Sequence, residues 1–142
     1  MKDIELARKI MNDEQRSLVI VKDGNVIIAS DMFGIKPLYL AVKEKKELLK
    51  ESAVADKVIG KGAAMLYVYA KVNEIHTSLI SDKAIEVLKK SNIKLEYNET
   101  CEYIINRNNT GMCPVEKLSS KTDDIDEVMH GINDFLKSIN LL

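Results

Sequence analysis

Two lysines four residues apart, Lys57 and Lys61, have the types and spacing of an anion-binding pair. Asp56 is a good N-cap, and a helix beginning there places both ammonium groups on one side of its first turns. Unpaired amides and the positive end of the helix dipole already favour an anion at that point. Gly60 and Gly62 each cost about 1 kcal/mol of helix propensity relative to alanine, which indicates close approach of a ligand or a neighbouring element. We expect a phosphate site here; two ordinary solvated lysines are the alternative.

A second group of residues with potential chemistry runs from Gly111 to Glu116. Pro114 suits the first position of a helix and puts Cys113 at the N-cap, where the helix dipole favours a thiolate. Glu116 could reach back to that cap as in a capping box, and Arg107 could add positive charge. Cys113 is therefore a candidate nucleophile; an inert cysteine in a short capped turn is the alternative.

A further helix start, Ser81-Asp82, follows directly after a predicted strand. We expect these residues to cap the helix, although a helix start beside the carboxyl edge of a sheet is also a common place for ligands. His76 lies within the preceding strand, and we expect it to be a hydrogen-bonded structural residue. The candidate ligand-binding residues are Asp56, Lys57, Lys61, Ser81, Asp82, Arg107 and Glu116, with Cys113 as the candidate catalytic residue.

Composition limits the classes of function that need consideration. The chain has 142 residues, of which 46% are apolar, and its formal net charge is −1. These values fit one globular domain over residues 1–142 and provide no overall field for nucleic acid or an anionic membrane. Two cysteines without a disulfide framework, and no signal sequence or membrane span, favour a cytoplasmic protein. A homodimer stays open.

Periodic patterns predict an α/β domain in which strands alternate with helices. Two apolar runs flank Asp23-Gly24, a strong hairpin signal, and their unbroken apolar character predicts strands covered on both faces. We therefore expect a three-layer α/β/α domain with a central mixed sheet. The predicted elements are a helix over Asp3–Met11, the hairpin, helices from Pro37 and from Asp56, strands over Ile75–Ile80 and Ile93–Tyr97, and a C-terminal helix over about 123–140.

Three segments also resemble known proteins. The stretch Thr77–Ile85 is similar to the third strand and second zinc-binding helix of the cytidine-deaminase-like superfamily. The stretches Val54–Ala64, Ile104–Arg107 and Gly111–Glu116 resemble the domain-of-unknown-function family 1893, which is placed in that superfamily. The resemblance covers roughly residues 3 to 118 and implies a cytidine-deaminase-like fold.

The zinc chemistry of true deaminases does not carry over with this resemblance. Those enzymes need an H-x-E element and a P-C-x-x-C element. Here Ala55-Asp56-Lys57 and Ser81-Asp82-Lys83-Ala84 stand at the corresponding positions. His76 and His130 lack partners at metal-ligand spacing, so we expect no metal and no other cofactor.

Three functions remain open at this point, and whether the protein is an enzyme is one of the open questions. The first is binding of a nucleotide or phosphorylated ribosyl ligand through Lys57 and Lys61. The second is a thiol-dependent reaction at Cys113. The third is a regulatory or interaction role without a small ligand, which would show an exposed apolar patch instead.

Overall fold

Helix α1 and a β-hairpin open the chain, as the sequence predicts. A computed structural model describes all 142 residues and places α1 at Asp3–Asp13, β1 at Leu18–Lys22 and β2 at Asn25–Ser30. Asp23 and Gly24 have φ values of 51° and 79°, the left-handed conformations that a tight two-residue hairpin turn requires. The carboxylate of Asp3 accepts hydrogen bonds from both turn amides, at 2.8 and 2.9 Å. The start of α1 and the hairpin therefore fix each other.

Five strands form one mixed sheet in the order β2-β1-β3-β4-β5. β1 pairs antiparallel with β2 and β3, whereas β3, β4 and β5 run parallel. The further elements are α2 (Lys36–Leu49), β3 (Ala53–Ile59), α3 (Lys61–Ala70), β4 (Glu74–Ser81), α4 (Asp82–Lys89), β5 (Lys94–Cys101), α5 (Pro114–Ser119) and α6 (Ile125–Ser138). The predicted mixed α/β class is confirmed, and the helices α3 and α4 are the crossovers that parallel strands require.

The two faces of the sheet bury different amounts of apolar surface. Leu18 and Ile20 of β1 contribute to the larger core, which they share with α2, α3, α4 and α6. Val19 and Val21 point the other way and pack against α1 in a smaller core. β1 is thus covered on both faces, as its apolar run predicts. None of the helices is long and apolar enough to cross a membrane.

The expectation that both strands of the hairpin are covered on both faces is wrong for β2, which is an edge strand of the sheet. Its residues are partly or largely exposed, and Val26 keeps 46% of its surface accessible. An apolar run specifies burial of a strand only where helices reach both of its faces. At the edge, β2 has one neighbouring strand and little helical cover.

The predicted helix from Asp56 is also wrong, because residues 53–59 form the central strand β3. Asp56 pairs with Leu18 of β1 and with Thr77 of β4. The strand's backbone thus gains partners on both sides, and these pairings outweigh the capping tendency of one aspartate. The helix begins instead after Gly60, its N-cap residue, with Lys61 as the first helical position.

Gly62 is required where α3 crosses α5. A Cβ atom at this position would lie 2.8 Å from Cγ1 of Val115. The glycine predicted to mark a close approach therefore accommodates a neighbouring element.

Replacing this glycine tests the packing of α3 on α5. Gly62→Ala gains about 1 kcal/mol of helix propensity but overpacks a buried contact at a cost of about 1–3 kcal/mol. We expect a net loss of about 1 kcal/mol in the free energy of unfolding, measured by urea denaturation. Gly111→Ala is the control, since no atom lies within 4 Å of its added Cβ. A Gly62→Ala variant at least as stable as the wild type would contradict this packing.

Candidate functional site

The carboxyl ends of β3, β4 and β5 meet at one edge of the sheet, together with the starts of α3 and α4. In open α/β sheets this edge is where ligands usually bind. The loop before α2 (31–35) and the loop between β5 and α5 (102–113) end at the same edge. Arg107 joins these two loops, because its Nη2 donates a hydrogen bond to the carbonyl of Phe33 at 2.9 Å.

A buried carboxylate, that of Glu116, occupies the centre of this edge. It accepts hydrogen bonds from the amides of Lys61 at 2.8 Å and Ile104 at 2.6 Å. The Ser81 hydroxyl donates to it at 3.4 Å. A Cβ atom on Gly60 would lie 3.1 Å from both carboxylate oxygens, so this glycine lets the carboxylate approach. An internal anion thus occupies the helix start for which the sequence predicts a phosphate.

The predicted pair of lysines does not form. Lys57 lies on β3, where its amide donates to the carbonyl of Ser17. Lys61 is buried, and its ammonium group donates to the carbonyl of Thr122 at 2.9 Å and to the carboxylate of Asp123 at 2.8 Å. The hydrogen bond and the charge of Lys61 lower the pKa of Asp123. Because residue 57 lies on a strand, the two side chains do not share one face of a helix, and the predicted phosphate clamp is wrong.

Asp56 forms a polar pair with Tyr67 beneath the same edge. The Tyr67 hydroxyl, on a fully buried ring of α3, donates to the Asp56 carboxyl group. Burial raises the pKa of Asp56 to about 7, against the opposing effect of hydrogen bonds from Tyr67 and from the amides of Val58 and Lys57. Burial also raises the pKa of Tyr67, and the nearby Asp56 charge adds to this. Near neutral pH the Asp56 carboxyl group can therefore donate or accept a proton, whereas the Tyr67 hydroxyl stays protonated.

The helix start at Ser81 matches its predicted role. Ser81 is the N-cap of α4, and its hydroxyl oxygen accepts a hydrogen bond from the amide of Ala84 at 3.3 Å. Asp82 is exposed in the first turn, where its charge suits the helix dipole. Ser81 contributes to the buried cluster around Glu116, whereas Asp82 stays in solvent.

The predicted N-cap position of Cys113 is confirmed, but its surroundings differ from the expectation. Pro114 follows at the first helical position, and the thiol makes no capping hydrogen bond. Glu116 binds Lys61 and Ile104 instead of reaching back to the cap, so the predicted capping box is wrong. Arg107 bonds to Phe33 in the neighbouring loop. Cys113 packs against the main core, and a nucleophilic role for it stays a prediction.

Sequence reasoning overlooked two members of the site, Tyr67 and Cys101. Tyr67 is a fully buried residue of α3, and it was missed because its partner Asp56 was assigned to the same helix and not to β3. Cys101 ends β5, and its pKa is raised by burial and by the charges of Glu116 and Asp82. The glycines Gly60 and Gly62 were the sequence signal of this crowded edge. No group of three or more His, Cys, Asp and Glu side chains lies close enough to hold a metal ion.

The raised pKa of Asp56 predicts a specific pH dependence of stability. The carboxyl titrates near 4 in the unfolded chain and at about 7 in the fold, so the folded state binds the proton more tightly. The contribution of Asp56 to the free energy of unfolding is complete below about pH 4, and it is lost as the pH rises towards 7. Asp56→Asn cannot ionise, so between pH 5 and pH 8 we expect it to gain about 2 kcal/mol relative to wild type, after discounting for partial exposure.

Urea denaturation of both proteins at several pH values measures this difference. Asp23→Asn is the control, because Asn-Gly suits the hairpin turn as well as Asp-Gly does. Asp23 lies in the turn between β1 and β2, at the end of the sheet opposite to Asp56. Parallel stability curves for Asp56→Asn and wild type would show that Asp56 ionises normally.

Comparison with known proteins supports the fold and identifies the family. No curated protein gives a significant match. RibD from Acinetobacter baumannii shows 17% identity and a TM-score of 0.48, over 89% of this chain and 40% of its own. The crystal structure of a DUF1893 family protein from Thermotoga maritima shows 29% identity and a TM-score of 0.84, over 94% of this chain and 90% of its own. Residues 6–136 match the family described as a domain of unknown function, DUF1893, and the chain belongs to that family.

Proposed function

We propose that the protein binds a small nucleoside-like ligand at the carboxyl edge of its sheet. The observation that carries this proposal is the Asp56–Tyr67 pair, in which a hydrogen-bonded carboxyl group with a pKa of about 7 belongs to a residue that is only partly buried. Perturbed carboxyl groups of this kind cluster at functional sites. The sequence resemblance to the cytidine-deaminase-like superfamily supports a nucleoside as the class of ligand; that part of the argument is analogy.

Hydrogen bonds, and not a phosphate clamp, would hold this ligand. The first amide of α3 already donates to Glu116, and the ammonium group of Lys61 already binds Asp123. A phosphate would have to displace one internal anion and compete with another. A nucleoside, or a nucleotide whose phosphate points into solvent, avoids both costs.

The loops over the edge supply apolar surface for a ring. Phe33 keeps 59% of its surface exposed, and Ile105 and Tyr103 are also exposed in the opposite loop. The Arg107 hydrogen bond to the Phe33 carbonyl holds these loops together. Ser17 connects this region to Asp56, because its carbonyl accepts from the amide of Lys57 and its hydroxyl donates to the Met32 carbonyl. An aromatic ring between the loops would leave its polar edge towards the carboxyl group.

Binding, and not zinc-dependent deamination, is the activity that the side chains favour. Zinc deaminases take their metal ligands from histidine and cysteine side chains of two elements. The start of α3 has Lys61, Gly62 and Ala63, and the start of α4 has Ser81 and Asp82. Neither set contains a soft or imidazole ligand, so the chain's own residues do not fit a zinc centre.

A thermal-shift screen of nucleobases, nucleosides and nucleotides tests the proposal, because a ligand that binds the folded state raises the melting temperature. Asp56→Ala should weaken binding of any nucleoside found by about tenfold or more. Asp56→Asn keeps hydrogen-bonding groups and should stay within a few-fold of wild type. Glu44→Ala, at an exposed position of α2, is the control. The proposal fails if no compound stabilises the protein, or if Asp56→Ala binds as well as wild type.

A second arm of the screen tests why phosphate is not held at α3. Inorganic phosphate should leave the melting temperature of wild type unchanged. Glu116→Ala frees the amides of Lys61 and Ile104, so phosphate should stabilise this variant selectively. Equal stabilisation of both proteins by phosphate would contradict the assignment of Glu116 as the internal anion.

A further inference from the structure

A cleft with a volume of about 180 Å³ lies at the opposite end of the parallel strands, where β4 and β5 begin. α1 forms one wall of it. This helix packs on β1 and β3 and leaves the outer face of β5 uncovered, where Glu96 and Asn98 are exposed. The cleft is on the far side of the sheet from the Asp56–Tyr67 pair, so the inference drawn from it is independent of the proposed function.

An unpartnered polar side chain lines this cleft. His76 is 6% exposed, and its Nδ1 atom is buried without a hydrogen-bond partner. The expectation that His76 is a hydrogen-bonded structural residue is therefore wrong. Burial and the positive charge of Arg8 lower the pKa of His76, whereas Glu96 opposes the shift. The neutral ring then has one donor and one acceptor nitrogen; because Nδ1 has no accessible surface, a ligand in the cleft would meet the other ring nitrogen, Nε2.

The charges around His76 are balanced in sign and loosely paired. Nη1 of Arg8 lies 4.0 Å from Oε2 of Glu96, and Nζ of Lys94 lies 3.7 Å from Oε1 of Glu74. Charge-assisted hydrogen bonds are usually about 2.7–2.9 Å long, so these four side chains keep donors and acceptors for a ligand. Two further charged residues of opposite sign, Lys2 and Glu5, also line the cleft and leave its charge balanced.

We propose that this cleft binds a small zwitterion, a free α-amino acid, with its carboxylate on Arg8, its ammonium group on Glu96 and a hydrogen bond to His76. A ligand with a single negative charge would meet the acidic side chains, and one with a single positive charge would meet Arg8 and the lysines. A zwitterion satisfies both signs and replaces one long ion pair by two short contacts. The volume suits a molecule much smaller than a drug-sized ligand.

Thermal shift and calorimetry with each of the twenty α-amino acids measure this binding. We expect one or a few to raise the melting temperature of the wild-type protein. For such an amino acid, Arg8→Gln and Glu96→Gln should each weaken affinity tenfold or more, and both positions are exposed enough for the variants to fold. Glu99→Gln, another exposed carboxylate of β5 outside the cleft, should bind as wild type does.

Analogues of the same amino acid test the requirement for two charges. The decarboxylated amine and the deaminated acid should each bind at least tenfold more weakly, and the ring ¹⁵N resonances of His76 should shift when the amino acid is added. The proposal is overturned if none of the twenty amino acids binds, if a singly charged analogue binds equally well, or if Arg8→Gln and Glu96→Gln retain wild-type affinity.

Discussion

The carboxylate of Glu116 accepts hydrogen bonds from three segments that are far apart in the chain: the start of α3, the N-cap of α4 and the loop after β5. A buried carboxylate without such partners would be strongly destabilising, so these segments must converge on it. The adjoining backbone must also leave room, and this explains why glycine stands at Gly60 beside the carboxylate. The short helix α5 that carries Glu116 is in turn positioned against α3 through Gly62 and Val115. One side chain therefore sets the geometry of the whole carboxyl edge.

This internal anion also changes what the edge can do. In α/β proteins that bind phosphates, the amides at a helix start are left for the ligand. Here Glu116 uses the first amide of α3, and Asp123 neutralises the neighbouring Lys61 ammonium group. A titratable group that stays available near the edge is Asp56, whose pKa of about 7 follows from burial beside Tyr67. The charged groups at the start of α3 are therefore already paired, and Asp56 beneath them is left to form hydrogen bonds with a ligand.

How much could be predicted depends on whether the deciding interaction is local. The Asp23-Gly24 turn, the Ser81 N-cap and the Cys113 N-cap were predicted correctly, because each depends on residues within a few positions. Asp56 was misplaced because its capping signal is local, whereas its strand pairings come from β1 and β4. The three partners of Glu116 were beyond local reasoning, since they lie 12, 35 and 55 residues away in the sequence.

Amide hydrogen exchange at Lys61 tests the central role of Glu116 most directly. The first amides of a helix have no partner within the helix and normally exchange fast. If the Lys61 amide donates to the buried Glu116 carboxylate, it should exchange slowly, at a rate near that of the interior amides of α3. The Ile104 amide, which lies in a loop, should be protected in the same way. Fast exchange at both amides, with the rest of α3 protected, would contradict the account.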